Sequence, residues 1–279
     1  MLGRAPDHPL GGVFPCENFC ASLVPTKMWR GGAGALSCGM PKYRLDPAWG
    51  PSPGSRATIV FVHGALVRGW EMRLMRQRLR RLGYRVRQFR YRSIMIGLDE
   101  NVRRLKKFLR ETEGDVIHVV GHSMGGVLAR LAFEQDPDQR PGRIVAIGSP
   151  LLDCWVARRF VRLHPSIGRL LIGRTVADHI SCRTDPVWRG QRDFGVLAGT
   201  FRFGIGAIFR TLPSPSDGVV LLEETRLQGM RDHVEYRLNH FGMLFSRRCT
   251  VQVARFLATG RFLQPVARGE AGEKMAVAA

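Results

Sequence analysis

The stretch at residues 116–130, VIHVVGHSMGGVLAR, constrains this chain more than any other. Val116 to Val120 make a short apolar run that reads as a buried strand, and Val127 to Phe133 read as a helix. Between them stands Gly121-His122-Ser123-Met124-Gly125-Gly126, a G-x-S-x-G pattern on a tight turn. In a strand–turn–helix context such a turn lifts the serine hydroxyl clear of the sheet. It also sets the hydroxyl at a helix N-terminus, where developing negative charge is favoured. Gly121 and Gly125 stand where a Cβ would collide across the bend. A Gly-rich turn with a helix-capping serine would show the same letters. What separates the two readings is whether the chain also supplies an oxyanion loop upstream and an acid and a histidine downstream.

The order of elements decides whether those groups can meet. Residues 1–55 lack sustained periodicity and carry Pro and Gly punctuation, so they read as an irregular extension ending in a linker. Residues 57–62, ATIVFV, are apolar and β-branched, suited to a central parallel strand, and run into His63-Gly64-Ala65. An amphipathic helix is predicted over 70–82 with Gly83 closing it, then a strand over 84–91 and a helix over 98–110. RIVAIG at 143–148 is the next strand. Residues 151–192 interrupt the alternation with two helical stretches, at 154–163 and 167–177, and are the natural lid or cap. A strand over 194–200, a turn at 212–218, a strand over 233–238 and a helix over 241–259 complete the domain at 56–262. The tail at 263–279 has low complexity and is expected to be disordered. Alternating strands and helices mean an α/β fold with a mainly parallel sheet. Such a sheet gathers the C-terminal ends of its strands on one edge, where sites form.

Four positions fall at that edge: Gly64, Ser123, Asp217 and His240. A serine needs an adjacent base, and the base an orienting acid. His240 follows the last strand and is the best base. His122 is expected to point away from the serine, His233 lies at the far end of its strand, and His63 and His118 read as structural. Asp217 is the best acid, with Asp153, Asp185 and Asp193 as weaker choices; its Asp-Gly turn role is compatible with that. The Ala65 and Met124 amides are placed to form an oxyanion hole. The order Ser–Asp–His is that of α/β-hydrolases.

Charge is the unusual bulk property. The 279 residues carry a net +20, with a pI of about 11.1, and only five of the 43 basic residues are Lys. Residues 68–110 hold fifteen Lys and Arg against three acidic residues, a net of +12. The reading preferred is Arg-rich usage on solvated helix faces, since no nucleic-acid-binding module accompanies the charge and no nucleic acid partner is expected. A weak contact with an anionic membrane surface is the alternative use of such faces. No run of about 18 apolar residues suggests a transmembrane helix, and the N-terminus lacks the apolar core of a secretory signal. Cys16 and Cys20 stand without a second ligand pair, so no metal site is expected, and the six cysteines fit reduced thiols in the cytoplasm.

Together, IVFVHGALVRGW, VIHVVGHSMGGVLAR, AIGSP, GVLAGT, SPSDGVV and NHFGML resemble the α/β-hydrolase superfamily, most of all bacterial lipases and esterases. The resemblance spans about residues 57–262. It implies an α/β-hydrolase fold with Ser123 as nucleophile, Asp217 as acid, His240 as base, and Ala65 and Met124 as oxyanion donors. It further implies cleavage of carboxylic esters of lipid or other apolar acyl groups through an acyl-enzyme, with no cofactor or metal. Helices 70–82 and 241–258 would pack on one sheet face and helix 98–110 on the other. Ala65 departs from the larger apolar residue that relatives often carry after HG, a change a backbone donor tolerates. A thioesterase or acyltransferase could use the same residues, and a member without catalysis could instead bind membrane or partner through its basic faces. Oligomeric state is not legible here.

Overall fold

The structure is a computed structural model that describes residues 44–136, 140–182, 185–203 and 215–264. The expectations for residues 1–43, with Cys16 and Cys20, for residues 212–214 of the turn at 212–218, and for the tail from 265 lie outside the described residues.

Six strands are present: β1 (Ala57–Val62), β2 (Arg85–Phe89), β3 (Val116–His122), β4 (Ile144–Ile147), β5 (Phe194–Gly199) and β6 (Asp232–Tyr236). They form one sheet in the order β2-β1-β3-β4-β5-β6, and every neighbouring pair is parallel. The helices are α1 (Arg73–Arg80), α2 (Leu98–Arg110), α3 (Met124–Gln135), α4 (Trp155–Leu163), α5 (Gly168–Ile172), α6 (Arg174–Ser181), α7 (Gly242–Phe245) and α8 (Arg247–Thr259).

Period-two alternation along the strands divides the core between the two sheet faces. Ile59 and Phe61 of β1 and Val145 and Ile147 of β4 pack with Met75 and Leu79 of α1 and Val253 and Phe256 of α8. Their neighbours Val60, Val62, Ile144 and Ala146 pack with Val102 and Leu105 of α2 and Val127 and Leu128 of α3. Burying each such side chain contributes roughly 1.5–3 kcal/mol. A central strand with both faces covered is mostly apolar, and all six residues of β1 are buried, its one polar side chain, Thr58, donating to Glu113 O at 2.7 Å.

Three elements differ from the sequence-based expectation. The helix expected over 241–259 is broken at Ser246, whose backbone is extended and whose Oγ accepts from the Cys249 amide to cap α8. The first helix begins as a 3-10 turn at Trp70–Met72 before α1. The 151–192 insertion contains three helices rather than two, because Gly173 at φ 83° ends α5 and starts α6. Leu45 and Trp49, in the stretch read as linker, pack on the α1/α8 face, and the Tyr84 hydroxyl donates to Trp49 O at 2.9 Å.

Part of the arginine excess is structural. The last carbonyls of a helix have no partner within it, and a guanidinium can collect several at once. Arg140 donates to the carbonyls of Leu109, Thr112 and Gly114 at the end of α2. Arg143 does the same at the end of α8, to Leu257 and Ala258. Arg130, 1% exposed, pairs with Glu134 at 2.9 Å and donates to Leu151 O at 2.8 Å. Among the described residues no helix is long and apolar enough to cross a membrane.

Candidate active site

The turn after β3 is built as its letters require. Ser123 has φ 53°, one of two non-glycine residues with positive φ among those described, the other being Leu66 at 61°. Such backbone costs energy and persists where the surroundings impose it. A Cβ on Gly121 would lie 2.5 Å from Gly126 N, and one on Gly125 would lie 2.1 Å from Val62 O. The first contact is across the bend, as expected. The second is with the end of β1, so Gly125 also lets α3 approach the neighbouring strand. The Ser123 amide donates to Ile147 O of β4 at 2.9 Å, which ties the turn to the sheet edge.

Asp217 and His240 meet. Asp217 is 1% and His240 4% exposed, and His240 Nδ1 donates to Asp217 Oδ2 at 2.7 Å. The other oxygen, Oδ1, accepts from the amides of Val219 at 2.9 Å and Val220 at 2.7 Å. The His240 amide donates to Asp217 O at 3.0 Å, so the two residues are joined by backbone as well. With its proton on Nδ1, the imidazole keeps a lone pair on Nε2. A Cβ on Gly148, directly after β4, would come within 2.9 Å of Asp217 Oδ2 and 3.2 Å of His240 Nδ1. The pair therefore stands at the end of the same strand that holds the Ser123 amide. The Ser123 hydroxyl itself makes no hydrogen bond among the described residues; such contacts often tighten only with substrate bound.

The upstream loop also reaches the turn. A Cβ on Gly64 would lie 3.2 Å from both Ser123 Cβ and His122 Nδ1. Neither the Ala65 amide nor the Met124 amide has a hydrogen-bond partner among the described residues.

The other histidines are committed elsewhere. His63 stacks on Tyr91 with ring centroids 4.4 Å apart, accepts from the Tyr91 amide at 3.2 Å and donates to Gly64 O at 2.7 Å. His118 accepts from the Arg143 amide at 3.0 Å, and burial with the nearby Arg143 and Arg192 charges pushes it down to about 3. His233 bonds Thr225 and burial, with Arg226, lowers it to about 4. The buried His122 ring lies 4.6 Å from the His240 ring, and Nε2 donates to His240 O at 3.3 Å. Burial, then the neighbouring His240, holds His122 well below the usual histidine range. It acts as a wall behind His240. The rival acids Asp153, Asp185 and Asp193 are paired with Arg158, Arg189 and Arg143.

Sequence reading missed Glu224. Its Oε1 accepts from the Trp155 amide at the start of α4, and its Oε2 accepts from the Leu221 amide at 2.8 Å. Burial pushes its carboxyl up to about 8. It joins the loop after Asp217 to the insertion, and no local pattern in LLEET announces that. Among the described residues no group of His, Cys, Asp and Glu is arranged to hold a metal ion.

A parallel sheet with a strained serine turn after its central strand, and a buried Asp–His pair beside that turn, defines a class of fold and site. A sequence model described as the alpha/beta hydrolase family matches residues 59–267, and the chain belongs to that family. No curated protein sequence matches it. Among solved structures it is similar to the mature lipase BlEst2 of Bacillus licheniformis, at 20% identity and a TM-score of 0.58, covering 76% of this chain and 94% of that one. It is also similar to the metagenomic carboxyl esterase MGS0156, at 17% identity, TM-score 0.55, and 74% and 76% coverage. The phospholipase PlaB of Legionella pneumophila matches at 14% identity and TM-score 0.57, over 74% of this chain and 60% of that one. At these identities the likeness is one of fold.

Proposed function

We propose that this alpha/beta hydrolase cleaves carboxylic esters of apolar acyl groups through an acyl-enzyme on Ser123. The observation that carries the proposal is the buried Asp217–His240 pair, held at 2.7 Å beside the serine turn. In this reading Ser123 Oγ attacks the ester carbonyl while its proton passes to His240 Nε2. Asp217 holds the imidazole by Nδ1 and stabilises the imidazolium. The oxyanion is bound by the Ala65 and Met124 amides, each such donor contributing about 3–4 kcal/mol to the barrier reduction. The C–O bond to the alcohol breaks as His240 returns the proton to the leaving oxygen. Water, deprotonated by His240, then attacks the acyl-enzyme, and His240 returns that proton to Ser123 Oγ as the bond to the acid breaks.

The surface supports an apolar substrate. Several exposed large hydrophobic residues among those described follow closely on the C-terminal ends of strands. They include Leu66 and Trp70 after β1, Ile94 and Met95 after β2, and Phe241 and Phe245 after β6. In the insertion, Leu163, Ile167, Leu170 and Leu171 are exposed on or between α4 and α5. That part serves as the lid in our reading. Arg159, Arg162 and Arg169 among these apolar residues suit a weak contact with an anionic lipid surface.

The test is a panel of p-nitrophenyl esters of graded acyl length, with Ser123→Ala beside the unsubstituted protein. The expected result is kcat/KM rising with acyl length and falling at least ~10⁴-fold in Ser123→Ala. Hydrolysis that survives Ser123→Ala overturns the proposal. Thioesters and added alcohol acceptors in the same panel separate hydrolysis from thioester cleavage and acyl transfer. Equal co-sedimentation with anionic and neutral vesicles at two salt concentrations would remove the electrostatic contact.

A further inference from the structure

Leu66 follows the Ala65 position directly and has φ 61°, a backbone that a γ-branched residue adopts only under constraint. The residue is 55% exposed, so its side chain is not locked in the core. The Leu66 amide donates a hydrogen bond to Ser93 Oγ at 3.0 Å. Ser93 lies in the loop between β2 and α2 and is 4% exposed.

Ser93 is itself fixed by the insertion. Its carbonyl accepts from the Thr175 amide at 3.0 Å, and the next carbonyl, of Ile94, accepts from the Arg174 amide at 2.9 Å. Thr175 Oγ1 donates to Ile96 O at 2.7 Å and accepts from Asn101 Nδ2 at 2.9 Å. Asp178 Oδ2 accepts from the Leu98 amide at 2.9 Å, where α2 begins. α6 is thus clamped to the core by five hydrogen bonds along residues 93–101.

We propose that Ser93 is a positioning residue for ester cleavage: its hydroxyl holds the Leu66 amide, and with it the Ala65–Leu66 peptide that adjoins the Ala65 amide, while Leu66 is at positive φ, and α6 holds Ser93. The proposal rests on the esterase reading above. A single hydrogen bond and the strain of one left-handed residue are of similar size, so the loop keeps its shape only while the bond is made. A mispositioned oxyanion donor lowers kcat and leaves ground-state binding nearly unchanged.

Two measurements test this. The first is amide hydrogen exchange in the unsubstituted protein: the Leu66 amide should exchange at least tenfold more slowly than the unpartnered Ala65 amide. Equal exchange overturns the proposal whatever the enzyme's activity. The second is a cycle of Ser93→Ala and Leu66→Gly with a p-nitrophenyl ester. Ser93→Ala should lower kcat about 10–100-fold with KM within about twofold, as expected for a donor displaced by a fraction of an ångström. Glycine adopts positive φ without strain, so in the Leu66→Gly background the same substitution should cost at most about threefold. The same loss in both backgrounds, or kcat within twofold in Ser93→Ala, overturns the role. No hydrolysis by the unsubstituted protein refutes the esterase reading and this role with it, while the exchange result still decides whether the bond exists.

Discussion

Asp217→Asn separates catalysis from stability at this site. The two carboxylate oxygens have different duties: Oδ1 accepts from the Val219 and Val220 amides, and Oδ2 accepts from His240 Nδ1. An asparagine in the same pose must keep its carbonyl oxygen on the two amides. The opposite orientation would set an NH2 donor against two N–H donors, at roughly 1–3 kcal/mol for each unpaired group. The NH2 then faces Nδ1, and the imidazole can bond it only by moving its own proton to Nε2. That removes the lone pair that takes the Ser123 proton. The expected loss is about 10⁴-fold in kcat, close to 5.5 kcal/mol of barrier, with stability nearly unchanged. Asp217→Ala should lose activity too, but it strands two amides and should also unfold at lower temperature. The assay is kcat and KM on a p-nitrophenyl ester beside a thermal melt. An Asp217→Asn protein with kcat within tenfold of the original would refute the reasoning.

Gly125→Ala should fail before catalysis, because its Cβ meets the backbone oxygens of Val62 and His63 at 2.1 and 2.5 Å. A cost of at least ~3 kcal/mol is expected, read as a melting temperature lower by about 6–12 °C or as insoluble protein; an unchanged melt would contradict the packing of α3 on β1. Acid should destabilise the fold through its buried neutral histidines. His118 and His233 are lowered to about 3 and 4, so between these values and the unfolded value near 6.5 only the unfolded chain binds the proton, and stability falls with pH. Glu224, raised to about 8, works in the opposite sense, so the test is a difference: between pH 7 and 5.5 His118→Gln should lose about 1.2 kcal/mol less than the unsubstituted protein by urea denaturation. A drop of the same size in His118→Gln would show that His118 does not resist protonation.

Much of this molecule was legible in the sequence because local rules and tertiary packing agreed. ATIVFV, with β-branched residues on both faces, is where the sheet needs a central strand. The glycines of GHSMGG occur where the turn has no room for a Cβ. Asp217 and His240, 23 positions apart, could be paired on paper because each follows a strand, and strand ends in a parallel sheet converge. What escaped was set by contacts between distant segments. Ser246 breaks the last helix because an extended residue there caps α8, and nothing in FSRRC weighs that against continuation. His122 packs on His240 across 118 positions of chain. Glu224 and Ser93 matter through backbone amides of other loops, which carry no side-chain signature. The arginines, read as solvated charge, include several that collect helix-end carbonyls.

The central claim is that Ser123 is the nucleophile, and the most direct measurement is intact mass after reaction with a fluorophosphonate. The account predicts one adduct per chain, mapped to the Ser123 peptide, absent in Ser123→Ala and strongly slowed in His240→Ala. Labelling that persists in Ser123→Ala, or its absence from the unsubstituted protein in a folded state, would contradict it.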